Sequence, residues 1–194
     1  MLPEARVQLS PLPVGDFSVR FVDGDNRCGA RQAADILAET LRRQGLDCTA
    51  SRERPVVHVQ GRRGRGALRF AGEESGRADL LVVLDESLLA RADLRRTLNP
   101  DGTLVVATPR APHAVRRGLR WFGGTTATVD AEGISDETGA EPAAALLGAL
   151  ARATGFIDPD ILGTVTWIAY DRLWPYAAVA ATRALSEGYR RVQF

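Results

Sequence analysis

Two hydrophobic periods divide this chain. Phe17, Val19 and Phe21 alternate with polar neighbours before Val22 joins them, which predicts a strand over 17–23. From residue 30 to 44 the period lengthens. Ala30, Ala33, Ala34, Leu37 and Leu41 recur three or four apart, and Gly45 stops the predicted helix. Residues 46–50 and 55–60 predict short strands, and 67–71 alternates as an edge strand would. Residues 78–85 form a nearly continuous apolar run, the pattern of a parallel strand buried on both faces. The pattern then predicts a helix over 86–98, a turn over 99–102 and a second buried strand over 103–108. Residues 110–124 are basic and glycine-bearing, with Trp121 and Phe122 expected at the surface or an interface. A strand over 125–130 follows, then helices over 143–153, 161–170 and 176–192, the first closed by Gly155. Strand–helix alternation of this kind predicts a three-layer α/β fold: a mostly parallel, Rossmann-like sheet flanked by helices. Residues 1–16 carry Pro3, Pro11 and Pro13 and no period, so they read as an extended N-terminal arm before one domain over 17–194.

Composition narrows the function. A chain of 194 residues suits one such domain. Its net charge is +1, with arginine as the only basic chain-forming residue besides two histidines, which argues against nucleic acid as the main partner. No apolar run approaches the roughly 20 residues of a membrane span. The N-terminal residues lack the basic-then-apolar order of a signal peptide. Cys28 and Cys48 are too far apart for a CxxC pair, and two thiols fall short of the about four that an iron–sulfur cluster needs. With His58 and His113 the only histidines, a structural zinc set is not expected either. Both cysteines read as reduced, and the chain as cytoplasmic.

Three places are candidates for chemistry. The turn from Gly24 to Gly29 follows a strand and opens a helix, where free backbone N–H groups meet anions. A dinucleotide fingerprint, G-x-G-x-x-G, would want glycine where Asn26 stands, and Ser51-Arg52 replaces the acid expected after the second strand. The turn therefore reads either as a phosphate cradle or as a plain tight connection. The loop Arg62-Arg63-Gly64-Arg65 offers guanidinium groups that could clasp a phosphate or carboxylate, or face water at a hairpin tip. Trp167, Tyr170, Trp174 and Tyr176 crowd aromatic side chains near the C-terminus, as partner surfaces do. Asp79 and Asp85 bracket a strand, and Asp85 reads as the cap of the element after it. His58 reads as half-buried in a strand and His113 as a loop residue. No nucleophile has an evident histidine partner in sequence.

The succession of the Gly24-Asp25-Asn26-Arg27-Cys28-Gly29 turn, Ala33 to Ala38, Ala78 to Asp85, Leu98 to Val106, Ala145 to Gly155 and Ala184 to Tyr189 resembles the gamma subunit, or gamma domain, of the 2-oxoacid:ferredoxin (acceptor) oxidoreductases, the pyruvate and ketoacid oxidoreductase family. That family opens with a G-x-G-G-x-G turn and an alanine-rich helix, here Gly24-Asp25-Asn26-Arg27-Cys28-Gly29 and then Ala33-Ala34-Asp35-Ile36-Leu37-Ala38. Arg63-Gly64-Arg65-Gly66-Ala67 loosely fits its Arg-Gly loop, and Ala78 to Asp85 matches its A-D-x-L-[LV]-x-L-D strand. Leu98-Asn99-Pro100-Asp101-Gly102-Thr103-Leu104 resembles L-x-P-G-G-T-L, with Asp101 for a glycine. Ala145 to Gly155 and Ala184-Leu185-Ser186-Glu187-Gly188-Tyr189 resemble its last two motifs. Asn26 and Arg27 stand in place of the two adjacent glycines of the opening turn.

The resemblance implies a non-catalytic, active-site-shaping subunit of a complex. That complex oxidatively decarboxylates a 2-oxoacid to an acyl-CoA and passes electrons to ferredoxin or another acceptor. Thiamine diphosphate, Mg and [4Fe-4S] clusters would sit on alpha, beta and cluster-bearing delta partners, and none on this chain. Coenzyme A would be the substrate whose approach Gly24, Asn26, Arg27, Gly29, Arg63 and Gly64 line. The alternative reading is a free-standing Rossmann-like nucleotide-binding protein or reductase.

Overall fold

The computed structural model describes residues 15–24, 29–51, 55–60, 77–90, 94–172 and 175–194. Six strands form one sheet in the order β2-β3-β1-β4-β5-β6. They are β1 (Phe17–Val22), β2 (Asp47–Ala50), β3 (Val56–Gln60), β4 (Ala78–Val83), β5 (Leu98–Ala107) and β6 (Thr125–Val129). β1, β4, β5 and β6 pair in parallel, whereas β3 runs antiparallel to both β1 and β2. Among the described strands β3 alone is reversed, so the sheet is mostly parallel with one inserted hairpin. The predicted edge strand over 67–71 and the arm over 1–14 lie outside the described residues.

The helices are α1 (Ala30–Arg43), α2 (Pro112–Leu119), α3 (Ala131–Thr138), α4 (Pro142–Thr154), α5 (Pro159–Asp171) and α6 (Pro175–Arg191). One sheet face is covered by α2 and two 3-10 turns, Glu86–Ala90 and Leu94–Arg96, through a cluster that includes Leu81, Leu88, Val106, Val115 and Trp121. The opposite face carries the larger core, which takes in Phe17, Leu37, Val82, Leu146 and Leu150. That side has two tiers. α1 and α4 lie on the strands, and α6 packs mainly on α4. Sandwiched in this way, α4 buries every residue from Ala143 to Ala151, which is why its sequence shows no polar stripe. The inner and outer tiers touch backbone to backbone: a methyl built at Gly148 would overlap the Leu185 carbonyl oxygen, and one at Gly188 the Ala145 carbonyl oxygen.

Three expectations change. Among its described residues the predicted helix over 86–98 is instead the two 3-10 turns, because β5 begins at Leu98, where it pairs with Ala78. The Thr97 carbonyl accepts from Ala78 N at 2.7 Å, so sheet pairing claims these residues before a helix can. The predicted turn over 99–102 is accordingly the irregular start of β5. Leu80 pairs with Thr103 while Ala78 pairs with Leu98, leaving Asp79 opposite a bulge. The Asp79 carboxylate stitches that gap: it accepts from Ser18 N at 3.0 Å and from Asn99 Nδ2 at 2.7 Å. Third, His113 is not a loop residue, since α2 starts with Pro112 at its first turn and carries it. Trp121 is buried and Phe122 is 69% exposed, so only the second of that pair faces outward. The short α3 had no expectation at all. Asp130 caps it, accepting from Gly133 N at 3.0 Å.

Candidate functional site at the carboxyl edge of the sheet

Strand order reverses between β1 and β4: β1 leads toward β2 and β3, whereas β4, β5 and β6 lie on its other side. In open α/β sheets the crevice outside the carboxyl ends at such a reversal is where ligands bind. Two of the six candidate residues fall there. Gly24 leaves β1, and Gly29 caps α1 with φ 77° and ψ 22°, a left-handed conformation that suits glycine. Asn26, Arg27, Arg63 and Gly64 lie outside the described residues, as does Cys28.

A carboxylate stands beside each described end of the turn. A methyl at Gly24 would overlap Asp85 Oδ2, so that carboxylate lies against Gly24. Asp85 Oδ1 accepts from Ser87 N at 2.8 Å and so caps the first 3-10 turn, the role its place in the sequence predicts. At the other end, a Cβ on Gly29 would lie 2.6 Å from Glu141 Oε2. Glu141 occupies the N-cap position of α4 but makes no side-chain cap bond there. Its Oε2 accepts instead from the Tyr170 hydroxyl at 3.2 Å. Tyr170 is 5% exposed, and burial followed by the Glu141 charge pushes its phenol up. It does not belong to the aromatic surface in which the sequence places it.

Beside the turn, a cleft of about 350 Å³ runs along the ends of β4, β5 and β6. Asp85, Glu86, Thr108, Pro109, Asp130 and Glu132 line it. Glu86 accepts from Thr108 Oγ1 at 2.6 Å and from Arg110 Nη1 at 3.0 Å. Those bonds, the threonine's first, hold its carboxyl below the usual range. Its stabilising share is present at neutral pH and is lost as pH falls through the lowered folded value. Glu86→Gln is therefore expected to cost about 0.5–1 kcal/mol at pH 7 and nothing measurable once the wild-type carboxyl is protonated, read by urea unfolding at both pH values.

The remaining candidates are structural. Cys48 is buried, donates to the Ala38 carbonyl at 3.1 Å, and burial pushes its thiol up, so it is a packed group. His58 lies half-buried in β3, opposite Ser18 and Thr49. Among the described residues no three His, Cys, Asp or Glu side chains are grouped to hold a metal ion. No helix among them is long and apolar enough to cross a membrane. α5 and α6 expose Trp167 (43%), Ile168 (37%), Val179 (53%) and Tyr176 (87%). A groove of about 550 Å³ separates the two helices. Sequence reasoning missed Glu141 entirely. It stands before a proline at a helix start and gives no sign of reaching back to Gly29.

Known proteins resemble this chain in sequence and in fold. The common gamma subunit of the pyruvate/ketoisovalerate oxidoreductases of Thermococcus kodakarensis is 34% identical over 152 residues, which is 73% of this chain and 80% of that one. A pyruvate oxidoreductase subunit from Thermotoga maritima superposes with a TM-score of 0.69 at 26% identity, over 92% of this chain and 98% of that one. A 2-oxoglutarate:ferredoxin oxidoreductase from Magnetococcus marinus, solved with coenzyme A and succinyl-CoA, shares the fold over 31% of its longer chain at 14% identity and a TM-score of 0.63. The family model described as pyruvate ferredoxin/flavodoxin oxidoreductase matches residues 24–189, from the first glycine of the turn to Tyr189 in the last helix, and this chain belongs to that family.

Proposed function

We propose that this chain is the gamma subunit of a 2-oxoacid:acceptor oxidoreductase complex that converts a 2-oxoacid and coenzyme A to an acyl-CoA and CO2. The observation that carries the proposal is the similarity, along most of both chains, to a relative named as a gamma subunit. On this reading thiamine diphosphate with Mg supplies the decarboxylating chemistry from alpha- and beta-type partners. [4Fe-4S] clusters on a delta-type partner pass electrons to ferredoxin or another acceptor. Two cysteines in the whole sequence suit a chain that carries no cluster of its own. The chain works in the cytoplasm. Its carboxyl edge shapes the approach to the reacting centre, with Gly24 and Gly29 fixing the turn. Asn26 and Arg27 sit within that turn, and Arg63-Gly64 holds coenzyme phosphate. Arg63→Ala then raises the KM for coenzyme A with little change in kcat, and an unchanged KM removes the loop from the site.

Docking to the partner chains uses the apolar face of α5 and α6. Trp167 and Tyr176 are exposed aromatic anchors of the type that dominate interface energetics. The test is native mass spectrometry of the chain recovered from its own cells. The expected result is a complex with larger subunits that bear thiamine diphosphate and iron. Trp167→Glu with Tyr176→Glu is expected to release the chain from the complex while leaving its thermal unfolding intact, since both side chains face outward. A lone chain or homodimer, above all one carrying a nucleotide, would overturn the proposal in favour of a free-standing nucleotide-binding protein.

A further inference from the structure

Charge is unevenly spread on this nearly neutral chain. From Gly102 to Val129 the sequence has no Asp or Glu, but four arginines and one histidine. Arg110, just before α2, is answered by Glu86 at 3.0 Å. Arg116 donates to the Phe122 carbonyl at 2.9 Å and so holds the chain just past the helix. His113, Arg117 and Arg120 follow one another at four and three residues, and all three are exposed. Arg117 and Arg120 have no ion pair among the described residues. Two residues on, Phe122 is 69% exposed. The backbone at the end of α2 is also unusual. Gly139 and Gly155 cap α3 and α4 at φ 73° and 69°, and Gly45 follows α1 at φ 84°. α2 ends in the same left-handed conformation, but with Arg120 at φ 50°. Among the described residues Arg120 is the only one other than glycine with a positive φ. Glycine suits that backbone better, so an arginine held there points to a role for its side chain.

We propose that the basic end of α2, Arg117 and Arg120 with Phe122, is a second docking face, made for an acidic protein surface on another subunit of the complex. This contact presupposes the multi-subunit assembly proposed above. A convex helix face gives a small anion no enclosure, so a broad partner fits it better. A chain of net charge +1 suits a protein partner more than nucleic acid. Arginine and an exposed aromatic ring are residue types on which protein interfaces depend. Placement adds to the case. α2 covers one face of the sheet, whereas α5 and α6 lie on the other. The chain is then gripped from both sides. Apolar contact at α5 and α6 is little affected by salt, and the charged contact at α2 is screened by it.

The sequence contains no lysine, so a lysine placed on α2 is the only side-chain amine of the chain. The test builds Arg117→Lys and Arg120→Lys, each of which keeps the charge, and isolates the complex from its own cells at low salt. A water-soluble carbodiimide then joins the new amine to a carboxylate in direct contact, and mass spectrometry identifies the product. Both lysines are expected to couple to Asp or Glu of another subunit. The product is expected to disappear at about 0.5 M salt, where screening acts within a few ångströms. Arg120→Gly is expected to melt no lower than wild type, because glycine relieves the cap. It is nevertheless expected to leave the complex at a roughly tenfold higher concentration at low salt, a gap that closes at high salt. A complex that stays whole while neither lysine couples to a partner overturns the proposal. So does an Arg120→Gly chain that binds as wild type does at every salt. Copurifying RNA that ribonuclease removes, with no coupled carboxylate, overturns it in favour of nucleic acid. Absence of partner chains around the wild type, even at low salt, overturns the gamma-subunit reading and this contact with it.

Discussion

Gly188→Ala is expected to cost the chain at least about 3 kcal/mol, and Gly148→Ala a similar amount. The added methyl in each case lands on a backbone carbonyl of the facing helix, that of Ala145 for Gly188 and that of Leu185 for Gly148. A crowded side chain can turn aside, but a helical carbonyl cannot. Relief comes only if α4 and α6 move apart, and separation removes contacts around Ala144, Ala145, Ala149, Ala181 and Ala184, all of which are fully or almost fully buried. The control is Gly163→Ala on α5, where a methyl meets nothing within 4 Å. It is expected to stabilise by about 0.5–1 kcal/mol through helix propensity alone. Urea unfolding of the three variants measures both signs. A loss below about 1 kcal/mol at Gly188 would mean that the helices do not approach as closely as described.

Asp79→Ala is the second large effect, about 2–4 kcal/mol. The carboxylate spans the bulge between β4 and β5, and its loss takes a buried acceptor away from the Ser18 N–H and from the Asn99 amide. This acid also imposes a pH dependence. Burial opposes its charge and lifts it above the ordinary carboxylate range, with the Ser18 and Asn99 bonds pulling the other way. The folded chain therefore keeps this proton at a pH where the unfolded chain has lost it. The associated stability is full below the unfolded value and drains away as pH rises through the raised folded value. Asp79→Asn has nothing to titrate there. Stability of the wild type relative to Asp79→Asn should grow as pH is lowered from about 7 to about 4. A difference that stays flat across that range would place the charge on well-solvated ground.

Why some of this could be read in the sequence and some could not comes down to the range of the forces. β4 was legible because all six of its residues are buried, and burial on both faces leaves a continuous apolar run. α4 and Gly155 were legible for similar reasons: the helix is apolar all round, and Gly155 closes it at φ 69°. The family motifs also acquire physical meaning. The glycines at 148 and 188 are there for close approach between helices. Gly102 lies where a methyl would come 2.7 Å from the Asp79 carbonyl oxygen in the bulge. The segment 86–98 misled because its leucines fit a helix, while the pairing of Leu98 with Ala78 depends on a strand twenty residues earlier. α3 escaped because eight residues with a glycine among them give a weak pattern. At the candidate site, Gly24 and Gly29 were visible as punctuation between a strand and a helix. Glu141 and Tyr170 reach the turn only through the fold, and nothing near them in sequence announces it.

The two-tier packing of α4 bears on how the chain is made. When α4 emerges from the ribosome, one of its sides can settle on strands already synthesised. The other is left bare until α6 follows, a few seconds later at about 5–20 residues per second. In that interval the nascent chain exposes a ridge of alanine and leucine with a notch at Gly148 where a foreign helix could lodge. Slow codons between residues 155 and 175 would prolong the exposure, and the yield of soluble protein should fall accordingly.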